Sequence, residues 1–148
     1  MRNMNFKTNI GRRYLSAFID YGIVWIIIFL YIQVFGTQTG PGSFSISGPG
    51  ALVPLVIWFA IIVCTEAFLG GTIGNSVVGL KVLSIANLRG EITISQAILR
   101  RILDPVDMAF GGLVAVLVIM YNPYKQRLGD LVANTVVIRN SDVAFMRG

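Results

Sequence analysis

YLSAFIDYGIVWIIIFLYIQVF, Tyr14 to Phe35, decides the fold class. As a helix rising 1.5 Å per residue it spans roughly 33 Å, against about 30 Å of hydrocarbon in a bilayer. It carries one charge, Asp20, and no other follows until Glu66. That gap leaves room for a second passage, ALVPLVIWFAIIVCTEAFL from Ala51 to Leu69, with Pro54 in its first turn, where a missing N–H costs little. Between the two lies an uncharged loop, Gly36 to Gly50, rich in glycine, proline and serine.

Composition agrees with two crossings. Of 148 residues 55% are hydrophobic and 13% are charged, where a soluble domain carries about 25% charge; the mean hydropathy is +0.73. The chain has no histidine and one cysteine, Cys64. Those counts exclude Ser/His/Asp and Cys/His catalysis, a zinc site of histidine and cysteine, and an internal disulfide. No nucleophile-and-base constellation supports an enzyme acting on lipid, so the chain reads as non-enzymatic, with no cofactor and no metal. GGTIGNSVVG lacks both the spacing and the lysine of a phosphate loop.

The first apolar run is too long for a signal-peptide core, and no small-residue cleavage site follows it. Arg2, Lys7, Arg12 and Arg13 precede it, which places the N-terminus in the cytoplasm by the positive-inside rule. Residues 70–101 then return to that side, with Lys81, Arg89, Arg100 and Arg101 against Glu91. The net charge of +5 is spread in ones and twos, which fits anionic headgroups better than nucleic acid.

The third apolar stretch, Ile102 to Tyr121, is long enough to cross, but a crossing would put Lys125 and Arg127 outside. It also contains Asp104, Pro105, Asp107 and the pair Gly111-Gly112. A re-entrant helical hairpin broken at the glycines keeps both ends cytoplasmic; a plain third transmembrane helix remains the alternative. Among the polar pieces, KVLSIA (Lys81 to Ala86) and EITIS (Glu91 to Ser95) flank NLRG and read as a β-hairpin. Ser95 then reads as the N-cap of a surface helix with Ile98, Leu99, Ile102 and Leu103 on one face and Arg100 and Arg101 on the other. Thr135 to Ile138 is a further strand, able to join the hairpin as a small cytoplasmic sheet.

Three stretches together resemble the RDD family of small prokaryotic integral membrane proteins: RRYLSAFID, with Arg13, Ala17 and Asp20; GGTIGNSVVGLKVLSIANLRGEITISQAILRR; and QRLGDLVANTVV. Asn75 stands where the family usually has lysine, and Asn134 where it usually has glycine. The resemblance implies a prokaryotic inner or plasma membrane location. It also implies either monovalent cation/proton antiport or an accessory role in a membrane assembly.

The candidate residues follow from the cost of charge in lipid. Asp20 lies about six residues, roughly 9 Å, into the first helix, and Arg12, Arg13 and Ser16 can lean along its face. Glu66 sits near the end of the second helix at a similar depth, so the two carboxylates could share a proton or hold a cation. Asp104 and Asp107 share a helical face and offer oxygen ligands suited to a hard cation. These four acids are the ion- or proton-coupling candidates. Arg12, Arg13, Arg100, Arg127 and Asp130 are the structural or pKa-tuning ones, with Arg13 expected to bridge Asp20 and Asp130.

The expected fold is thus one α-helical integral membrane domain. Its helices run 14–35 and 51–69, a hairpin and surface helix cover 70–101, a third hydrophobic segment covers 102–121, and a tail covers 122–148. Two or three helices enclose no polar pathway alone, so transport would need an oligomer, most simply a homodimer. The alternative is a membrane scaffold whose cytoplasmic cap binds a partner.

Overall fold

A computed structural model describes residues 6–86 and 90–147, mostly helical with two small antiparallel sheets. Helix α1, Ile10–Phe35, begins one turn before the apolar run, and α2 runs from Gly48 to Leu69; both are long and apolar enough to cross a membrane. The loop between them is not wholly irregular. It holds a hairpin of β1 (Thr37–Gly40) and β2 (Ser43–Ser45), turned through Gly42 at φ 72°.

α2 changes pitch along its length. A 3-10 turn, Gly48–Leu52, leads into an α-helical part at Val53, so Pro54 falls where the pitch changes and its missing N–H removes no established ladder bond. Phe59–Cys64 is π-helical, and Thr65–Leu69 returns to α before Gly70 ends the helix in the left-handed region at φ 70°.

The short helix α3, Ile73–Val77, packs on α1, capped by the Thr72 side chain, which accepts from Asn75 N. Gly74 permits the close approach, since a Cβ there would collide with the Ser16 carbonyl. Strand β3, Leu80–Ser84, pairs antiparallel with β4, Thr135–Arg139, with Val82 opposite Val137 and Leu83 opposite Val136. Period-two alternation divides the ribbon between two cores. Leu80, Val82 and Val137 pack with Val63, Ala67 and Ala97, while Leu83, Val136 and Ile138 pack with Val143 of the last helix, α8 (Asn140–Arg147).

Three sequence expectations are corrected. Glu91–Ser95 is not a strand, so β3 has no hairpin partner there and takes β4 instead; residues 87–89 of the expected turn lie outside the described residues. The cap of α4 (Ile94–Ile102) is Thr93, not Ser95, and it forms a capping box with Gln96. Arg100 and Arg101 do not face away from the protein: Arg100 is 2% exposed, whereas Ile102 is 63% exposed. The helix is therefore turned with its cations inward, because three buried acids, Glu66, Asp104 and Asp130, receive them.

The stretch 102–121 forms no continuous helix of crossing length. A single turn, α5 (Asp104–Asp107), precedes α6 (Ala109–Tyr121), in which Phe110, Gly111 and Gly112 all have left-handed φ. The break falls at the glycines, as their tolerance of that region predicts. It leaves residues 113–121 as the straight part, roughly 14 Å long at 1.5 Å per residue. A plain third crossing needs about 30 Å. The turn α7, Leu128–Val132, leads to Asn134 at φ 51°, which explains why a position favouring glycine accepts asparagine.

Candidate functional site

Five acids are buried, and they fall into two groups by their partners. Glu66, Asp104, Asp107 and Asp130 form a network with Arg13, Arg100, Arg101 and Arg127, which joins α1, α2, α4, α5 and α7. Asp20 stands apart, with no ion pair within 4 Å among the described residues.

Asp130 is the hub of the network. Its carboxylate lies 2.8 Å from Arg13 Nη1, 3.0 Å from Arg100 Nη2 and 3.5 Å from Arg127 Nε. Burial alone pushes this carboxyl up, but Arg100, Arg13 and Arg127 outweigh it and hold it far below the usual carboxylate range. Arg13 spends its other terminal nitrogen on the Lys125 carbonyl, 2.9 Å away. Arg13 thus reaches Asp130 as expected but makes no ion pair with Asp20.

Glu66 receives Arg101 at 2.6 Å and Arg100 at 3.2 Å. Asp104 receives Arg101 at 3.0 Å, Arg127 at 2.8 Å and the Tyr21 hydroxyl at 3.1 Å. Asp107 accepts from the backbone of Leu128 and Gly129, each at 3.0 Å, and lies 3.7 Å from Arg127 Nε. Gly129 is required there, since a Cβ would fall 2.6 Å from the Arg100 carbonyl. Each acid thereby joins two elements, and four positive and four negative groups balance.

Asp20 is 4% exposed, and neutral donors hold it. Gly74 N donates to Oδ1 at 2.7 Å; the Thr72 hydroxyl donates to Oδ2 at 2.5 Å, and the Ser16 hydroxyl lies 3.3 Å from Oδ2. Ser16 also donates to Asn75 Oδ1 at 2.8 Å, and a hydroxyl has one proton to share between the two. A cavity of about 80 Å³ adjoins this group, lined by Asp20, Ser16, Thr72 and Asn75 on one side and by Met108 and Val116 on the other.

The sequence-predicted residues are therefore brought together unequally. Arg13, Arg100, Arg127, Asp130, Glu66, Asp104 and Asp107 meet in one network, whereas Asp20 and Glu66 have separate partners. Arg12 points elsewhere and donates to the Val78 carbonyl at 2.6 Å. The sequence pairs Asp104 with Arg101 across the interface, yet Arg101 was not among the candidate residues, and Thr72 and Gly74 were missed as the seat of Asp20. The (i, i+3) spacing of Arg101 and Asp104 was the available signal for the first; the Asp20 contacts cross more than fifty residues and left none.

Two long apolar helices on a polar, arginine-rich base define a helical membrane-associated domain. The chain belongs to the RDD family, whose model matches residues 7–134. No curated protein and no solved structure matches it. The family and the two apolar helices together indicate a membrane protein.

Proposed function

We propose that the chain is a multi-pass inner or plasma membrane protein that exchanges a monovalent cation for a proton, with Asp20 as the coupling carboxylate. One observation carries this reading: among the described residues Asp20 is the buried acid with no ion pair within 4 Å, and it lines the cavity. A carboxylate held only by neutral donors has no fixed counter-charge, which leaves a proton or a cation to neutralise it in turn. Glu66, Asp104, Asp107 and Asp130 are neutralised by arginines already, so in this reading they hold the protein together.

The orientation has the N-terminus cytoplasmic, α1 and α2 crossing, and the ion-pair network at the cytoplasmic boundary. The outward faces of α1 and α2 support immersion, since Phe18, Trp25, Phe29, Leu55 and Val56 are all exposed. Residues 102–121 then enter the cytoplasmic leaflet and leave on the same side, with backbone polar groups at the break covered by Tyr14, whose hydroxyl donates to the Gly111 carbonyl at 2.9 Å. Two crossings enclose no route, so the working unit is a homodimer.

A second reading, a membrane scaffold whose cytoplasmic cap binds a partner, is favoured by the extent of the ion-pair network and by the cytoplasmic depth of all five buried acids. Proteoliposomes separate the two. Sodium, potassium or lithium gradients should drive proton movement in wild type and not in a folded Asp20→Asn variant. A folded wild type silent to all three ions would overturn the exchange reading in favour of the scaffold.

A further inference from the structure

The cavity beside Asp20 has a second wall that ion exchange does not use. Arg13, Arg100, Arg101 and Arg127 all line it, whereas Glu66, Asp104, Asp107 and Asp130, which neutralise them, do not. The acids stand behind the guanidinium groups, and Asp20 is the one acid in the lining. Among the described residues Arg13 Nε and Arg100 Nε are buried without a hydrogen-bond partner, as are Glu66 Oε1, Asp104 Oδ1 and Asp130 Oδ1 of the same network.

At about 80 Å³ the space exceeds several-fold the roughly 10–15 Å³ that one water occupies by this measure. The rest of the lining is largely apolar, with Ile10, Ala17, Met108, Ala115, Val116 and Ile119 forming an apolar wall. Tyr14, also in the lining, is 44% exposed, so the lining extends to the protein surface at α1. On α1 and α6 Phe18, Leu113 and Leu117 turn outward.

The geometry points to a site for a phosphate oxyanion borne by an amphiphile, the headgroup of an anionic phospholipid, with its first methylenes along the apolar wall. Guanidinium forks match phosphate oxygens, and basic recesses between helices at the cytoplasmic leaflet suit such headgroups. The acids behind the wall already take up most of the arginine charge, so a free phosphate gains little here. The apolar wall supplies the remainder, which favours the lipid-borne phosphate over the free ion.

The test titrates purified full-length protein in neutral detergent with phosphatidylglycerol, phosphatidylcholine or inorganic phosphate, counting bound molecules by native mass spectrometry. One phosphatidylglycerol should bind about tenfold or more tightly than phosphatidylcholine, and equimolar inorganic phosphate should not displace it. Ala115→Phe and, separately, Val116→Trp fill the apolar wall while leaving the four arginines and the outer cations Lys7, Arg12 and Lys125 in place. In whichever of these unfolds cooperatively, phosphatidylglycerol affinity should fall about tenfold. Equal affinity for the two lipids, or unchanged phosphatidylglycerol binding in the filled variants, would overturn the site; displacement by equimolar phosphate would overturn the lipid as its source. Binding is read rather than flux, so this result stands or fails separately from ion exchange.

Discussion

Asp130→Asn tests the buried network at its hub. The substitution keeps the shape of the side chain and removes one negative charge from among three guanidinium groups at 2.8, 3.0 and 3.5 Å. Asp130 is 0% exposed, so water cannot replace the lost counter-charge. Breaking a buried pair from one side costs about 3–5 kcal/mol, because the partner charge stays behind uncompensated. At about 2–4 °C per kcal/mol for a chain of this size, the unfolding temperature should fall by roughly 6–20 °C. The assay is thermal unfolding in detergent, followed by circular dichroism, with Glu91→Gln as control. Glu91 meets Lys81 at 3.8 Å with its side chain 51% exposed, and such a pair contributes less than about 1 kcal/mol. A loss in Asp130→Asn no larger than in the control would refute the network as a source of stability. A charge swap of Arg13 and Asp130 should not restore the fold, despite their contact, because an arginine at 130 would then face Arg100 and Arg127.

Three further outcomes follow from the same contacts. Because Asp130 ionises at lower pH folded than unfolded, its contribution is complete above about pH 4 and is lost as pH falls toward the folded value; unfolding temperatures should drop in acid, with a shallower slope in Asp130→Asn. Gly74→Ala puts a Cβ against the Ser16 carbonyl and 2.8 Å from Asp20 Oδ2, so it should cost about 1–3 kcal/mol in the same unfolding assay. Thr93→Ala removes the cap of α4 and should cost about 1 kcal/mol, whereas Ser95→Ala should stay within about 0.5 kcal/mol; the reverse order would return the cap to Ser95.

The two long helices were legible because hydrophobic length is a local property, and the break at Gly111-Gly112 because glycine tolerates left-handed backbone. The strand Leu80–Ser84 was legible too, but its partner was not. Glu91–Ser95 alternates as a strand does, yet Thr93 and Gln96 close a capping box that starts a helix there instead. The orientation of Arg100 and Arg101 was misread for a deeper reason. Charges are assigned outward by default, and only the three-dimensional convergence of Glu66 and Asp130 makes inward arginines favourable. Asp20 was legible as an expensive residue, while its neutral donors at Thr72 and Gly74 depend on how α3 packs on α1.

In the exchange reading Asp20 takes a cation when it gives up a proton, and proton release on cation binding measures that step without vesicles. Weakly buffered protein in detergent, carrying a pH-sensitive dye, is mixed with sodium, potassium or lithium chloride, with choline chloride as the control. Tested over a series of starting pH values, wild type should release protons to at least one of the three ions, and folded Asp20→Asn should release none at any of them. Equal release from wild type and Asp20→Asn, or none from folded wild type with any of the three, would contradict it.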